Sequence, residues 1–189
     1  MNPKMMKMLM TTKSDRPFFS LRRPLEIEIP QLSRLQVELW QEAYESQIDL
    51  DFLKALKPTG FENGWRNNLQ NKDQLRLCAE FEGEMVGFCG AGPARDKGMG
   101  AKGEIYAIYL RKKLQGRRLG KRMMVEMFQF LLDSSFDSPY VWVLESNPTC
   151  DFYKACGGEL LPVRKSIHIA GKEYPECSFL FPQLQHLCK

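Results

Sequence analysis

This sequence contains no long apolar run and few histidines. None of its 189 residues lie in a run approaching the roughly 18 to 20 apolar residues that a membrane-spanning helix requires, so no membrane segment is predicted. It has only two histidines, and its six cysteines lack the spacing of a metal knuckle, which predicts no metal site. In a chain of this length without a secretion signal, reduced thiols and a cytoplasmic location are expected.

Internal repeats and low-complexity linkers are also absent. The length suits one domain with a sizeable core, and 43% hydrophobic with 26% charged residues argues against disorder and coiled coil. Residues 1–16 begin with the methionine-rich string MNPKMMKMLM, which has neither an apolar targeting core nor a cleavage site. They are expected to form a flexible tail, and residues 17–189 a single domain.

The hydrophobic pattern changes from helical to extended spacing and back along the chain. A strand–helix–strand unit over residues 104–146 predicts a parallel pair within a mostly antiparallel sheet. The expected fold class is therefore α/β (α+β), a layered domain with a mixed sheet of six to seven strands flanked by helices. Helices are predicted at 31–48, 51–56, around 65–69, 119–132 and 148–155, and strands at 18–22, 75–81, 85–91, 104–110, 139–146, 166–169 and 177–181.

One segment, RKKLQGRRLGKR at residues 111–122, concentrates the positive charge. It holds seven basic and no acidic residues, and since the net charge of the whole chain is +4, the remainder sums to −3. The segment follows a predicted strand and opens a predicted buried helix, whose first N–H groups and dipole attract anions. Glycines such as Gly116 and Gly120 let the backbone approach a phosphate closely. A pyrophosphate site is predicted, the alternative being a solvated helix end.

Other phosphate-binding and nucleic-acid motifs fit this segment poorly. A P-loop needs four residues between its glycines and Ser or Thr after its lysine, whereas three residues separate Gly116 from Gly120 and Arg122 follows Lys121. The GxGxxG string at residues 98–103 precedes a strand and opens no helix. No aromatic residue stands within the basic segment, so nucleic acid is not an expected partner.

At these residues the sequence resembles the GNAT superfamily of acyl-CoA-dependent N-acyltransferases. The family's signature at the start of its third helix is Gln or Arg, two residues, Gly, one residue, then Gly or Ala; here it spans Gln115 to Gly120, with Arg118 in place of the first glycine. GEIYAIYL resembles the family's fourth strand, VWVLESN its fifth, and FYKACGG the helix that follows. The resemblance covers roughly residues 17 to 182 with the order of elements intact.

The resemblance implies that acetyl-CoA, the cosubstrate, lies where the fourth and fifth strands splay apart. Glu104 lies eleven residues before Gln115, as in members with a catalytic glutamate, and Tyr153 matches a tyrosine near the departing sulfur. Asn147 is similar to an asparagine at the end of the fifth strand, although it stands six residues before Tyr153 where seven are usual. The cofactor-binding residues so implied are the backbone of Ile108, Tyr109 and Leu110, then Gln115, Gly116, Arg117, Arg118, Leu119, Gly120, Lys121 and Asn147.

Attack on the thioester of acetyl-CoA requires an amine in its neutral form. Deprotonating an alkyl ammonium with a pKa near 10.4 at pH 7 costs about 4.6 kcal/mol, which a general base can share. Glu104 is the candidate base, directly or through water; the alternative is a strand-end carboxylate paired with Lys102 or Arg111. Tyr153 is expected to hydrogen-bond the leaving thiolate, the alternative being an aromatic core residue. Direct transfer in a ternary complex is expected, because neither Cys150 nor Cys156 has an evident histidine partner.

The acceptor amine is the open question. The leading hypothesis is a primary amine of a small molecule; alternatives are a protein or peptide amine and a CoA-binding module without catalysis. Helices between Gln31 and Leu69 and the last hairpin are expected to set the acceptor, and Tyr106 or Tyr109 either packs or lines its pocket. Acidic residues of the first helical region either suit a cationic amine or form a solvated face. The chain is expected to be a monomer or a homodimer.

Overall fold

The computed structural model describes residues 18–182 and 184; the tail predicted at 1–16 lies outside them. Seven strands form one sheet in the order β1-β2-β3-β4-β5-β7-β6. Every neighbouring pair is antiparallel except β4 and β5, which are parallel. This confirms the predicted α/β class with a mixed sheet. The strands are β1 (Phe19–Arg22), β2 (Leu75–Phe81), β3 (Glu84–Pro93), β4 (Gly103–Leu110), β5 (Tyr140–Leu144), β6 (Glu159–Ile169) and β7 (Lys172–Leu180).

In the part of the chain that the structure describes, the α-helices flanking the sheet are α1 (Ile29–Tyr44), α2 (Leu50–Ala55), α3 (Thr59–Gln70), α4 (Leu119–Asp133) and α5 (Thr149–Ala155). The first begins two residues before the predicted Gln31, with Pro30 in its first turn, and ends four residues before the predicted Ile48. Within residues 18–182 and 184, no helix is long and apolar enough to cross a bilayer.

Several elements are longer than the sequence predicts, including β7, which begins at Lys172, five residues before the predicted Cys177. The two largest differences are in α3 and β6. The helix expected as a turn or two around Trp65 is the twelve-residue α3. Gly60 and Gly64 weaken the helical signal of its sequence, because glycine has a low helix propensity. The strand expected only at 166–169 is the eleven-residue β6. It is an edge strand exposed along nearly its whole length, so it has no buried face to produce alternation, and Pro162 falls within a register shift where a proline is tolerated.

The sheet has a different layer on each face. Helix α4 covers one face through the side chains Met123, Met127 and Phe128, which are almost fully buried. Helices α1 and α3 cover part of the other face, where Phe88 of β3 and Trp65 meet edge to face with ring centres 5.2 Å apart. Helix α2 packs near the end of β5. On the face that carries α1, helices therefore cover the C-terminal end of β4. Among the described residues, the N-terminal end of β4 on that face is not part of the hydrophobic clusters that these helices form with the sheet.

Candidate active site

Strands β4 and β5 diverge soon after they meet. They pair only through Glu104 with Tyr140 and Ile105 with Val141. On its other edge, β4 remains paired with β3 as far as Leu110. The last residues of β4 therefore have one edge without a neighbouring strand, as the resemblance implies for a cofactor cleft.

The free edge of β4 exposes particular backbone groups. The N–H of Arg111 donates to the carbonyl of Val86 at 2.9 Å. Because bonded pairs alternate in an antiparallel ladder, the backbone of Tyr109 bonds to β3, while Ile108 and Leu110 direct their N–H and C=O groups to the free edge. Of the three predicted backbone residues, two thus face the cleft. The carbonyl of Leu110 accepts from the side-chain amide of Gln115 at 3.2 Å, which ties the following loop to the strand.

Two residues of the loop between β4 and α4 have backbone conformations with positive φ. Gly116 has φ of +76° and Arg118 has φ of +63°. Arg118 occupies the N-cap position of α4, and no side chain caps the helix. Residues 115–118 are exposed, so the uncapped N–H groups of the first turn of α4 are open to an anion. The conformation explains why a glycine is usual where Arg118 stands, since a non-glycine residue is strained there.

The basic side chains of residues 111–122 divide into two groups. Arg111 forms ion pairs with Glu38 and Glu42 of α1, and Glu42 also accepts from the backbone N–H of Lys112 at 3.0 Å. These two acidic residues are exposed, but they pair with Arg111 and so do more than form a solvated face, and Arg111 is not the partner of Glu104. This arrangement anchors the start of the loop to α1.

The second group surrounds the start of α4. Arg122 stacks on the Phe19 ring at 4.6 Å and donates to the carbonyl of that residue. Arg117 stacks at 5.8 Å over a phenylalanine of β2. Arg118 and Lys121 are exposed and form no ion pair within the described residues. Arg117, Arg118 and Lys121 are thus the cations closest to the uncapped helix end.

Helix α5 packs against the start of α4 and places Tyr153 beside it. A Cβ at Gly120 would lie 3.2 Å from the Phe152 ring, so the glycine allows this close approach. Tyr153 is 5% exposed and packs against Phe179 and Phe181, with ring centres 6.0 and 6.4 Å away. Burial, followed by the nearby phenol of Tyr44, raises the pKa of the Tyr153 hydroxyl well above its ordinary value. Tyr153 therefore remains a protonated donor throughout the physiological range.

Asn147 has a local role in the chain. Its side-chain oxygen accepts from the backbone N–H of Thr149 at 2.9 Å, at the start of α5. Its backbone carbonyl accepts from the N–H of Cys150 at 3.0 Å. The residue is 9% exposed and helps to set where α5 begins, and its predicted contact with the cofactor stays a prediction.

Glu104 is buried in a hydrogen-bonded cluster at the opposite end of β4. It is 2% exposed and forms an ion pair with Arg95, whose backbone N–H also donates to it at 2.9 Å. The hydroxyl of Tyr140 donates to the same carboxylate at 3.0 Å. The expected structural partners, Lys102 and Arg111, were wrong: the β3–β4 loop folds back and brings Arg95 instead. Ile108 lies four residues after Glu104, roughly 13 Å along a strand, so a base at this position would act on an amine near Ile108 through more than one intervening water.

Sequence reasoning named Tyr109 as a residue that packs or lines the acceptor pocket, but it missed the polar side chains of Tyr44 and Glu176 near it. The hydroxyls of Tyr44 and Tyr109 are 2.7 Å apart. Burial raises the pKa of both phenols, and the carboxylate of Glu176 on β7 raises both further. The side chain of Glu176 is 13% exposed and lies 3.6 Å from Lys165. No local signal marks these residues, because α1, β4 and β7 meet only in the folded chain.

A cleft of about 450 Å³ lies between α1, the start of β3 and the loop after β4. It is lined by Glu42, Arg111 and Lys112, among others. The side chains of Glu42 and Arg111 are already paired with each other at 2.7 Å. The cleft therefore adjoins the beginning of the basic loop and not the uncapped end of α4.

Comparison with known proteins matches this arrangement to one family. A model described as the acetyltransferase (GNAT) family matches residues 33–157. The chain belongs to this family. It is 31% identical over 160 residues to the "Uncharacterized N-acetyltransferase YuaI" of Bacillus subtilis (strain 168), covering 85% of this chain and 91% of that protein.

Solved structures share the GNAT fold. The PaiA N-acetyltransferase of Thermoplasma acidophilum, in complex with coenzyme A, has a TM-score of 0.67 and 16% identity, covering 85% of this chain and 98% of that one. The putative acetyltransferase YncA of Salmonella typhimurium, with its cofactor acetyl-CoA, has a TM-score of 0.64 and 11% identity, covering 87% and 93%. These likenesses show the fold, while the family match and the 31% identical relative identify the chain as a GNAT acetyltransferase.

Proposed function

We propose that this GNAT domain transfers an acetyl group from acetyl-CoA to a primary amine of a small molecule by direct transfer in a ternary complex. Three features support the proposal: two follow each other along the chain, and the third lies on α5, which packs against the start of α4 at Gly120. These are the free edge of β4, the uncapped start of α4 and the buried phenol of Tyr153. Each suits a different part of a thioester cosubstrate.

The backbone groups of Ile108 and Leu110 are suited to bind the pantetheine arm. They point to an edge without a strand, where an extended amide chain can pair as a neighbouring strand does. The turn from Gly116 to Lys121 is suited to the pyrophosphate, because it combines free N–H groups with exposed cations. Bound here, acetyl-CoA supplies an activated thioester.

The transfer requires one bond to form and one to break. The amine nitrogen bonds to the acetyl carbon while the carbon–sulfur bond breaks, and the electron pair of that bond leaves on sulfur. Tyr153 donates a hydrogen bond to the developing thiolate, which is consistent with its persistent protonation. Glu104, acting through water, accepts the first proton of the ammonium before the attack. The second proton leaves the nitrogen as the amide forms and passes to the thiolate, so the products are the acetylated amine and CoA with a free thiol.

Direct transfer is supported by the surroundings of the cysteines. Burial raises the pKa of the Cys150 thiol to about 11, and burial also raises that of Cys156, so both are mostly protonated and weakly nucleophilic. His168, the histidine in the described residues, pairs with Glu173 at the far end of the last hairpin. A cysteine–histidine pair is therefore not formed there.

A protein or peptide amine is the second candidate acceptor. A solved structure described as a ribosomal-protein-alanine N-acetyltransferase, from Brucella melitensis, shares the fold with a TM-score of 0.65 and 17% identity. We further propose a cytoplasmic location and a monomeric or homodimeric state, as the sequence predicts. A CoA-binding module without catalysis is the outcome if binding occurs without turnover.

The test measures binding and turnover separately. Acetyl-CoA binding is measured by calorimetry, and CoA release is followed with a panel of amines and peptides while mass spectrometry detects the acetylated product. The Tyr153→Phe variant is the matched control for chemistry, because it removes the hydroxyl and keeps the ring. Tight acetyl-CoA binding without turnover of any amine would contradict the catalytic proposal, and a trapped acetyl-cysteine would contradict direct transfer.

A further inference from the structure

Arg76 is a partly buried cation on the sheet face that carries α1. Its neighbours Leu75 and Leu77 point into the core beneath α4, so alternation along β2 places Arg76 on the opposite face. It is half-buried, and its guanidinium donates to the side-chain oxygen of Gln74 at 2.9 Å. Its Nε atom is buried and has no hydrogen-bond partner among the described residues.

No carboxylate neutralises Arg76 within residues 18–182 and 184. Burial, and to a lesser degree the nearby charge of Arg95, lower the pKa of its guanidinium. Desolvating an unpaired charge is unfavourable, and proteins normally pair it. Arg76 is therefore a donor group whose natural partner, an anion, is missing from the chain around it.

A second guanidinium lies beside the first. The guanidinium carbons of Arg76 and Arg95 lie 4.7 and 4.5 Å from the centre of the Tyr106 ring. Glu104 is the carboxylate here and is bound to Arg95. Two guanidinium groups and one carboxylate leave a net positive charge at this point, and the side chain of Arg95 is 63% exposed, so the group is open to solvent.

Two glycines of β3 make room for these side chains. A Cβ at Gly90 would overlap Nη1 of Arg76 and lie 2.9 Å from its Cδ, and a Cβ at Gly92 would lie 2.7 Å from the Tyr106 hydroxyl. The guanidinium of Arg76 thus extends across the bare backbone of β3 towards β4. Gly90 is paired with Ala107 and the guanidinium lies over Tyr106, so the cation lies along β4 between Glu104 and the free backbone edge at Ile108.

Further unpartnered polar atoms lie on the same face of the sheet. Trp142 on β5 is aligned with Ser178 on β7. The indole nitrogen of Trp142 and the hydroxyl of Ser178 are buried, and neither has a hydrogen-bond partner among the described residues. Together with Nε of Arg76, they are hydrogen-bonding groups suited to a polar ligand on this face.

We infer that Arg76, assisted by Arg95, binds an acidic group of the acceptor, so that the substrate is an amine that also carries a carboxylate or phosphate. The inference rests on the proposed function, since it assumes an amine acceptor. The planar guanidinium can bind either anion through two hydrogen bonds.

The test compares acidic amines with neutral analogues. The probes are ω-amino acids from β-alanine to 6-aminohexanoate, each against its primary amide, and phosphoethanolamine against ethanolamine. The proteins are the wild type, Arg76→Gln, Gly90→Ala and the control Arg66→Gln, which alters a half-buried arginine of α3 that pairs with Glu62. Gly90→Ala keeps the charge and displaces the flexible guanidinium. Acetyl-CoA binding is measured for each, so that failure of the proposed function is seen separately.

We expect the wild type to favour at least one acidic amine over its neutral analogue by about tenfold in kcat/KM. Arg76→Gln and Gly90→Ala should reduce kcat/KM for that amine by roughly 10- to 100-fold and leave the neutral analogue within about twofold. Acetyl-CoA affinity should be unchanged, and the Tm of Arg76→Gln should not fall, because an uncompensated charge is removed.

Several results would overturn the inference. One is a wild type that acetylates the neutral analogues equally well; another is an Arg76→Gln variant that loses both substrates together with thermal stability. If acetyl-CoA binds but no amine reacts, the inference about Arg76 is tested by measuring the binding of 4-aminobutanoate to the CoA complex by calorimetry. Binding that Arg76→Gln abolishes supports the site, and absence of binding to the wild type rejects it.

Discussion

Replacing Glu104 by glutamine separates its predicted catalytic role from its structural one. The wild-type carboxylate is 2% exposed and accepts hydrogen bonds from Arg95 and from the Tyr140 hydroxyl. A hydrogen bond to a charged group contributes about 1.5 to 3 kcal/mol to the free energy of unfolding. The side chain of Arg95 is 63% exposed, so solvent screens its share, and the glutamine keeps one acceptor oxygen.

We therefore expect Glu104→Gln to lower the free energy of unfolding by about 2 to 3 kcal/mol. For a domain of this size, that corresponds to a decrease in Tm of about 4 to 12 °C. Thermal unfolding followed by circular dichroism measures this effect. An unchanged Tm would refute the reasoning that the cluster stabilises the fold.

Kinetics of the folded variant test the base. Loss of a general base reduces kcat by roughly 10²- to 10⁴-fold. Arg95→Gln is the matched control, because it breaks the same ion pair and keeps the carboxylate. If Glu104→Gln lowers Tm but leaves kcat within about threefold of the Arg95→Gln value, Glu104 is not the base; a selective loss of kcat with unchanged acetyl-CoA affinity supports the role.

Three other perturbations address separate parts of the site. Tyr153→Phe should lower kcat about 10- to 100-fold, measured by CoA release, with acetyl-CoA affinity unchanged by calorimetry, because one hydrogen bond to the leaving sulfur is lost; an equal loss of affinity would contradict this. Arg118→Gly should raise Tm by about 1 to 3 °C by relieving the positive φ, whereas Arg118→Ala, which loses the same charge and keeps the strain, should not; equal Tm values would contradict this explanation. Because the pKa of the Cys150 thiol is about 11, little thiolate is present at pH 8. Alkylation of Cys150 by iodoacetamide at that pH should be roughly 200-fold slower than that of a free cysteine. Its rate should rise about tenfold per pH unit up to about pH 11. Peptide mass spectrometry measures that rate, and a pH-independent rate would refute it.

The order of strands and helices could be predicted from the sequence because the informative patterns are local. The apolar run of β4, the glycines of the basic loop and the buried face of α4 each lie within a few consecutive residues. The same holds for the position of Tyr153 on α5. The edge strand β6 was underestimated for the opposite reason, since a strand exposed on both sides has no hydrophobic alternation.

Contacts between distant residues could not be predicted. Arg111 lies about 70 residues from its partners Glu38 and Glu42 in the sequence. Glu104 was expected to pair with a neighbour in sequence, whereas the β3–β4 loop supplies Arg95. Choosing between such partners requires the paths of the loops, which no local pattern specifies. The same reason explains why Glu176 and the phenol pair went unnoticed.

Because β4 and β5 pair over a short length, Glu104 has a structural role at their junction in addition to its proposed role as the general base. Only two residue pairs join these strands before they diverge, and one of them is Glu104 with Tyr140. The same two residues are joined again by their side chains at 3.0 Å. Strands β4 and β5 are therefore held together at the end that carries Glu104 and Tyr140, and they are separated at the other end. The hydrogen bond between the Glu104 and Tyr140 side chains therefore reinforces the end at which the two strands are paired.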